Sequence, residues 1–276
     1  MDASIIDLNN SATRRHAFSN ELTARIDAVA SLDLRQSMVA HLIGQLEKNP
    51  PPADDYWGRS ISASAVGDEC ARRVQLSVWP SFHPEAREPK RRPLDDKTRV
   101  VFARGHATEE MMAGWIKAAG LPLSTETAVQ IEGARSYQHG FTTAGGHIKG
   151  FADGVFAGAP FQATRALWEN KTLGKKSWSA AWRHGIAKAH PKYDAQVHLL
   201  MPYMNADATL LTALNADTGE IYAELMPIDQ HKAQAASDKA VHILRATRAG
   251  DLLPKAGADG DSFPCKWCRF VDECWA

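Results

Sequence analysis

Two sets of side chains in this chain have the types and spacing for chemistry. The first is four cysteines: Cys265, Cys268 and Cys274 form a C-x2-C-x5-C run, and Cys70 stands alone far upstream. The second is Asp153, in GHIKGFADGVF, with the acid–x–lysine triplet Glu169-Asn170-Lys171 in ALWENKTLG. Two carboxylates a few ångströms apart repel unless a cation lies between them, and hard oxygen ligands suit Mg²⁺ or Mn²⁺. A neighbouring lysine supplies fixed positive charge where negative charge accumulates. Four thiolates can hold Zn²⁺ or an iron–sulfur cluster; alternatively Cys70 is a small buried hydrophobe and three cysteines bind metal. The chemistry on offer is metal-assisted hydrolysis within a thiolate-stapled domain.

These residues need elements to position them. On a strand, Glu169 and Lys171 share one face and Asn170 turns away; Leu167 and Trp168 before them suit a buried strand. Asp153 ends the alternating run His147–Ala152 and precedes Gly154, so two adjacent strands bring Asp153 to Glu169. A helix expected over 98–119 aligns Phe102, Gly105, Glu109, Met112 and Ile116 on one stripe, with His106 and Glu110 on a more polar face. Glu109 in an apolar stripe requires a partner, either a metal or an ion pair. A helix over 192–204 aligns Tyr193, Gln196, Leu200 and Tyr203; Gln196 either hydrogen-bonds a lysine or a water, or is partly exposed.

The rest of the chain supplies a frame. Strands are expected at about 125–132, 146–157 and 163–171, with glycine turns between them, then a helix over 175–188. ATLLTALN and EIYAELMP read as a hairpin closed by Ala216-Asp217-Thr218-Gly219, followed by a helix from Asp229 to Ala249. The order predicts a mixed α/β fold, with one central mixed β-sheet flanked by helices. Residues 1–52 read as an N-terminal helical appendage: Leu32, Leu34, Met38, Leu42 and Leu46 recur at helical spacing before Asn49-Pro50-Pro51-Pro52. Residues 53–276 form the main domain.

With 276 residues and 44% hydrophobic content the chain can bury a core. No apolar run reaches membrane-spanning length, and the N-terminus lacks the order of a secretory signal. The expected location is cytoplasmic, where clustered cysteines read as metal ligands rather than disulfides. The 32 basic and 32 acidic residues cancel, so local charge decides the partner. Arg87, Lys90, Arg91 and Arg92 in EAREPKRRP are either a solvated, proline-broken loop or a contact to a DNA backbone.

Six motifs then occur in a familiar order: GDECARRVQLS, RGHATEE, GFADGV, ENKT, YDAQVHLLM and CKWCRFVDEC. On these the chain resembles the PD-(D/E)XK nucleases over about 60–276. The likeness is to the RecB-like branch with an iron–sulfur cluster, which includes CRISPR-adaptation exonucleases and phage recombination exonucleases. The resemblance implies a restriction-endonuclease-like core and a Mg²⁺- or Mn²⁺-dependent deoxyribonuclease, most simply an exonuclease of DNA processing or recombination such as phages encode. By resemblance, Asp153 and Glu169 hold the divalent metal, with the Asn170 carbonyl as an extra ligand. Lys171 positions and activates the attacking water, and Gln196 matches the glutamine of the following helix motif.

Many members carry histidine four residues after the RG glycine. Here that position is Glu109, chosen as metal ligand over His106 because the helical stripe selects it too. Leu200 stands where relatives place a tyrosine, with Tyr193 and Tyr203 nearby. Trp178, Trp182, Arg183 and His184 either pack in the core or hold a DNA strand. One-plus-three cysteine spacing, with the resemblance, favours a structural 4Fe–4S cluster on Cys70, Cys265, Cys268 and Cys274 over Zn²⁺. The expected partner is DNA, single-stranded or at duplex ends, with a recombination or replication protein as a second. The rival readings are a catalytically silent nucleic-acid-binding module and an iron–sulfur structural subunit of a larger complex.

Overall fold

Two of the helices in the computed structural model begin at a side-chain cap, Asp95 and Asp229. The structure describes residues 59–131, 137–158, 163 and 165–276. The appendage expected over 1–52 lies outside them.

Strand β1 (Ile61–Ser62) leads into the short helix α1 (Ala63–Val66) and then α2 (Ala71–Phe82), for which Cys70 is the N-cap. Helix α3 (Asp96–Ala118) starts where the Asp95 carboxylate accepts from the Thr98 N–H at 2.7 Å. After β2 (Leu123–Ser124) and β3 (Gly140–Thr143) come β4 (Ile148–Phe151) and β5 (Gly154–Phe156). The long strand β6 (Ala166–Leu173) is followed by α4 (Lys175–His184), α5 (Ile186–Ala189) and α6 (Pro191–Tyr203). Strands β7 (Ala208–Asn215) and β8 (Ile221–Pro227) then precede α7 (Gln230–Ala249), capped by Asp229, and the terminal turn α8 (Val271–Cys274).

The fold is mixed α/β with helices flanking the strands, as expected, but the strands form two sheets rather than one. One is five-stranded, ordered β2-β5-β6-β7-β8, with β6 and β7 parallel and the other pairs antiparallel. The other is three-stranded, ordered β1-β4-β3. The run expected as a single strand over 146–157 is divided between them: β4 ends at Phe151, β5 begins at Gly154, and Asp153 occupies the break. Among the described residues, Leu123–Ser124 is the one strand near that expected over 125–132. The helix expected over 175–188 is interrupted at Gly185, whose φ of +76° is left-handed and costs little without a Cβ.

Each face of the five-stranded sheet has its own core. Ala166 and Trp168 of β6 pack with Met112, Ala113 and Ile116 of α3. Leu167 and Leu173, on the other face, pack with Trp178, Ala181, Val197 and Leu200. Full burial of side chains this size contributes about 1.5–3 kcal/mol each. Glu169 and Lys171 share the second face by strand alternation. Two packed helical layers therefore fix the strand from which the charged pair projects. No helix among the described residues is long and apolar enough to cross a membrane.

Candidate active site and thiol cavity

Register brings the two sequence motifs together. Gly154 pairs with Trp168, so one step further along the antiparallel ladder places Asp153 beside Glu169. β5 has ended there, and the Asn170 N–H, lacking a ladder partner on that side, donates to Asp153 Oδ2 at 2.7 Å. N–H and C=O of one strand residue open to the same side, so the Asn170 carbonyl also faces the Asp153 edge. The Asn170 side chain belongs to the other face, where its Oδ1 accepts from Thr212 Oγ1 at 2.9 Å.

Glu169 is only 3% exposed. Its Oε1 accepts from Lys171 Nζ at 2.5 Å and from Gln196 Nε2 at 2.6 Å. Its Oε2 is buried and has no hydrogen-bond partner among the described residues. Gln196, on α6, is itself buried, so its pairing with the carboxylate replaces the partly exposed alternative. Lys171 Nζ also lies over the Tyr193 ring, 5.0 Å from its centroid. Burial opposes the lysine's charge, but Glu169 and Asp153 outweigh it and raise the lysine's pKa. Asp153 is pushed well above the usual carboxylate range by burial first, then by the Glu169 and Glu109 carboxylates; Lys171 and the Asn170 N–H offset this only in part. Such a carboxyl regains its charge when a cation lies beside it.

Glu109 is less enclosed than its apolar stripe suggests. Its side chain is 29% exposed, with His106 Nδ1 3.9 Å from Oε2. Phe102 on the same stripe is 53% exposed, and burial of the stripe begins only at Met112. Helical periodicity identifies a face; it does not guarantee that anything covers it. Among the described residues no group of three or more His, Cys, Asp or Glu side chains is arranged to hold a metal ion. Glu109 is therefore near enough to act on Asp153 through space but is not gathered with Asp153 and Glu169 around one point.

The four cysteines converge. Cys70, Cys265, Cys268 and Cys274 line one cavity with Arg73, Lys255, Val271 and Trp275, and none forms a disulfide. Gly257 leaves the space this requires, since a Cβ there would lie 2.8 Å from Cys265 Sγ and 2.7 Å from Ser262 Oγ. Burial raises the Cys268 and Cys274 thiols, partly countered by Arg73 at Cys268 and by Arg72 and Lys255 at Cys274.

The basic loop at 87–92 meets the C-terminal tail, a contact neither expectation included. Arg87 Nη2 donates to both Glu273 oxygens at 2.8 and 2.7 Å, and Arg92 donates to Asp272 at 2.7 and 2.6 Å. The Lys90 N–H adds a bond to Glu273 at 2.9 Å, and Arg91 lies 5.9 Å from the Phe270 ring centroid. The loop is a clasp on the cysteine-bearing tail. Arg87 and Arg92 are thereby answered within the chain, while the Lys90 ammonium and the Arg91 guanidinium have no acidic partner among the described residues.

One further group was not anticipated. Asp68, almost fully buried, accepts from the Cys70 N–H at 3.0 Å, is paired to Arg73, and stands 3.5 Å from Lys192 Nζ. Lys239 donates to its carbonyl at 2.5 Å. Asp68 thereby ties the Cys70 helix to the N-terminus of α6, the helix bearing Gln196. The signal in the sequence was the acid pair Asp68-Glu69 in GDECARR with Arg73 five residues beyond Asp68, while Lys192 and Lys239 lie too far along the chain to be paired by spacing.

The fold and site define a mixed α/β protein with a buried carboxylate–lysine centre at a sheet break and a separate four-thiol cavity. No protein-family model and no curated protein matches the chain. Among solved structures it is similar to the alkaline exonuclease LHK-Exo from Laribacter hongkongensis, with a TM-score of 0.49 at 14% identity over 70% of this chain and 90% of that one. A structure of LHK-Exo in complex with dAMP gives 0.46 at 13% identity, over 71% and 91%. The structure of SSO0001 gives 0.46 at 15% identity, over 86% and 96%.

Proposed function

We propose that this chain is a Mg²⁺- or Mn²⁺-dependent deoxyribonuclease, working as an exonuclease in cytoplasmic DNA processing or recombination. The observation that carries this reading is Glu169. One of its oxygens is doubly held by Lys171 and Gln196, and the other is buried and bare beside a second carboxyl. A bare carboxylate oxygen in that setting is costly unless a cation completes it.

Asp153, Glu169 and the Asn170 carbonyl are the groups that would hold such a cation, and Glu109 would add its negative charge through space. When bound, it polarises the phosphate and lowers the pKa of an attacking water. The chain's own groups supply the rest. Lys171, kept charged by Glu169 and Asp153, presents positive charge where it accumulates on the phosphate oxygens. Gln196 fixes the rotamer of Glu169, and the Tyr193 ring steadies the ammonium.

In this reading the thiol cavity holds a 4Fe–4S cluster, with Zn²⁺ as the second choice. Four thiols on one cavity are the right donor set for either. Arg73, Arg72, Lys255 and Lys239 lie near enough to offset part of the negative charge that thiolates would bring. The cluster's role here is structural: it fastens the tail around Cys274 to the Cys70 helix, and hydrolysis moves no electrons.

The test is digestion of end-labelled single- and double-stranded DNA with Mn²⁺, with chelator, and with the Lys171→Ala variant. Mn²⁺-dependent release of nucleotides that Lys171→Ala loses supports the reading. No cleavage by the wild type, or equal cleavage by the variant, rejects it.

A further inference from the structure

From Asn170 to Tyr193 the chain contains no aspartate or glutamate, although the whole protein is charge-balanced. The same stretch carries Lys171, Lys175, Lys176, Arg183, Lys188 and Lys192. Two of these are engaged, Lys171 with Glu169 and Lys192 with Asp68. The other four are exposed on α4 and α5 and form no ion pair with a described residue. This is the reverse of the 87–92 clasp, whose two bidentate arginines are answered by Glu273 and Asp272.

An aromatic platform sits in the same face. Trp182 is 63% exposed. Its ring stacks on buried Trp178 at 5.4 Å and 14°, and meets the Tyr222 ring edge-on at 6.2 Å and 70°. A lone exposed tryptophan is ordinary; one braced on two rings beside four basic side chains without ion pairs is a ready-made stacking site, with Asp217 and Glu224 at its border bonded to the backbone N–H groups of Lys175 and Ile186.

That surface is joined to the catalytic lysine. Lys171 Nζ lies over Tyr193, the Tyr193 ring packs 5.4 Å from the His190 ring, and His190 Nε2 is bonded to the Ser177 carbonyl of α4 at 2.9 Å. Helix α4 begins directly beyond the end of β6, and Trp182 is two turns along it, about 10 Å.

We propose that the α4–α5 face is the track along which a single DNA strand reaches Glu169 and Lys171, with an unpaired base stacked on Trp182. A ring face can stack only on a base freed from its duplex neighbours, whereas lysines and arginines follow the phosphates of any strand. What lies at the end of the track rests on the deoxyribonuclease reading. Binding to the track needs no catalysis.

The experiment is fluorescence anisotropy of a labelled oligothymidylate and a blunt duplex, in EDTA, against wild type, Trp182→Ala, Trp182→Phe and the double variant Lys176→Glu/Lys188→Glu. Trp182→Ala should weaken oligothymidylate binding about tenfold, the scale of one base–aromatic stack, with Trp182→Phe recovering most of it. The lysine variant should bind more weakly and with a shallower salt dependence, by about 0.7 in log–log slope for each phosphate no longer neutralised. Neither lysine makes a described side-chain contact, so this arm stays interpretable if Trp182→Ala folds poorly. Wild-type binding by both Trp182→Ala and the lysine variant overturns the track, as does equal weakening by Trp182→Ala on oligothymidylate and duplex. Parallel Mn²⁺ digestion separates the two readings. A wild type that cleaves, with binding untouched by the variants, sinks the track alone. A wild type that never cleaves, with binding weakened in the variants as stated, sinks the deoxyribonuclease reading and keeps the track.

Discussion

Gln196 Nε2 donates to Glu169 Oε1 at 2.6 Å, and Oε2 of that buried carboxylate has no described partner. Removing the amide should therefore loosen the carboxylate without emptying the core. Gln196→Leu is expected to lower Mn²⁺ affinity or turnover about 10- to 100-fold, the usual scale for groups that orient a metal ligand. Cleavage rate as a function of Mn²⁺ concentration reads the effect, and thermal melting separates it from unfolding.

Asp68 is buried and answers Arg73 and Lys192, whose side chains are 35% and 44% exposed. Asp68→Ala leaves those cations to solvent and the Cys70 N–H without its acceptor, and should destabilise the fold by about 1–2 kcal/mol. Asp68→Asn keeps an acceptor for the Cys70 N–H and should cost less while still loosening Lys192. Chemical denaturation of the two variants ranks these contributions. Equal stability of Asp68→Ala and wild type would remove Asp68 from its bridging role.

Gly257 faces the thiol cavity closely enough that a methyl group would meet Cys265 Sγ and Ser262 Oγ. Gly257→Ala should displace Cys265 and reduce the metal retained on purification. Iron and zinc analysis of purified wild type and variant, with the visible spectrum, measures this; undiminished metal content in Gly257→Ala would contradict the close approach.

The Asp194–His198–Lys232 group links α6 to α7 and gives a pH dependence whose sign can be worked out. Burial opposes the His198 charge, but the hydrogen bond to Asp194 outweighs it and raises the imidazole. Its contribution to stability is full below the unfolded value of about 6.5 and is lost as pH rises through the higher folded value. For Asp194, burial is outweighed by the bonds from His198 and Lys232, which hold it low. That contribution is present above about 3.8 and is lost as pH falls through the lower folded value. Nε2 of His198 has no described acceptor, so the rise comes from Asp194 through Nδ1 alone. Stability should decline from mildly acidic to alkaline pH, and His198→Gln should flatten that decline in denaturation series.

Local pattern made much of this legible in the sequence. ATLLTALN is strand β7 without adjustment, and the helix ending at Ala249 begins one residue past the expected Asp229, its cap. Asp153, Glu169, Lys171 and Gln196 do meet, because strand alternation and helical spacing determine direction. What the pattern did not contain was pairing over distance. The break at Asp153 depends on which sheet each short strand joins, and the 87–92 loop on two acids in the tail. The acid-free stretch after Lys171 is an absence rather than a motif, and its basic residues are more widely spaced than those of EAREPKRRP.

The central claim is that Asp153 and Glu169 share a divalent cation. Calorimetric titration of Mn²⁺ into the full chain tests it most directly, comparing wild type with Asp153→Asn/Glu169→Gln. The account predicts a binding isotherm for the wild type that the double variant loses while both melt cooperatively. A wild type that takes up no Mn²⁺, or a double variant that binds it as tightly, would contradict it.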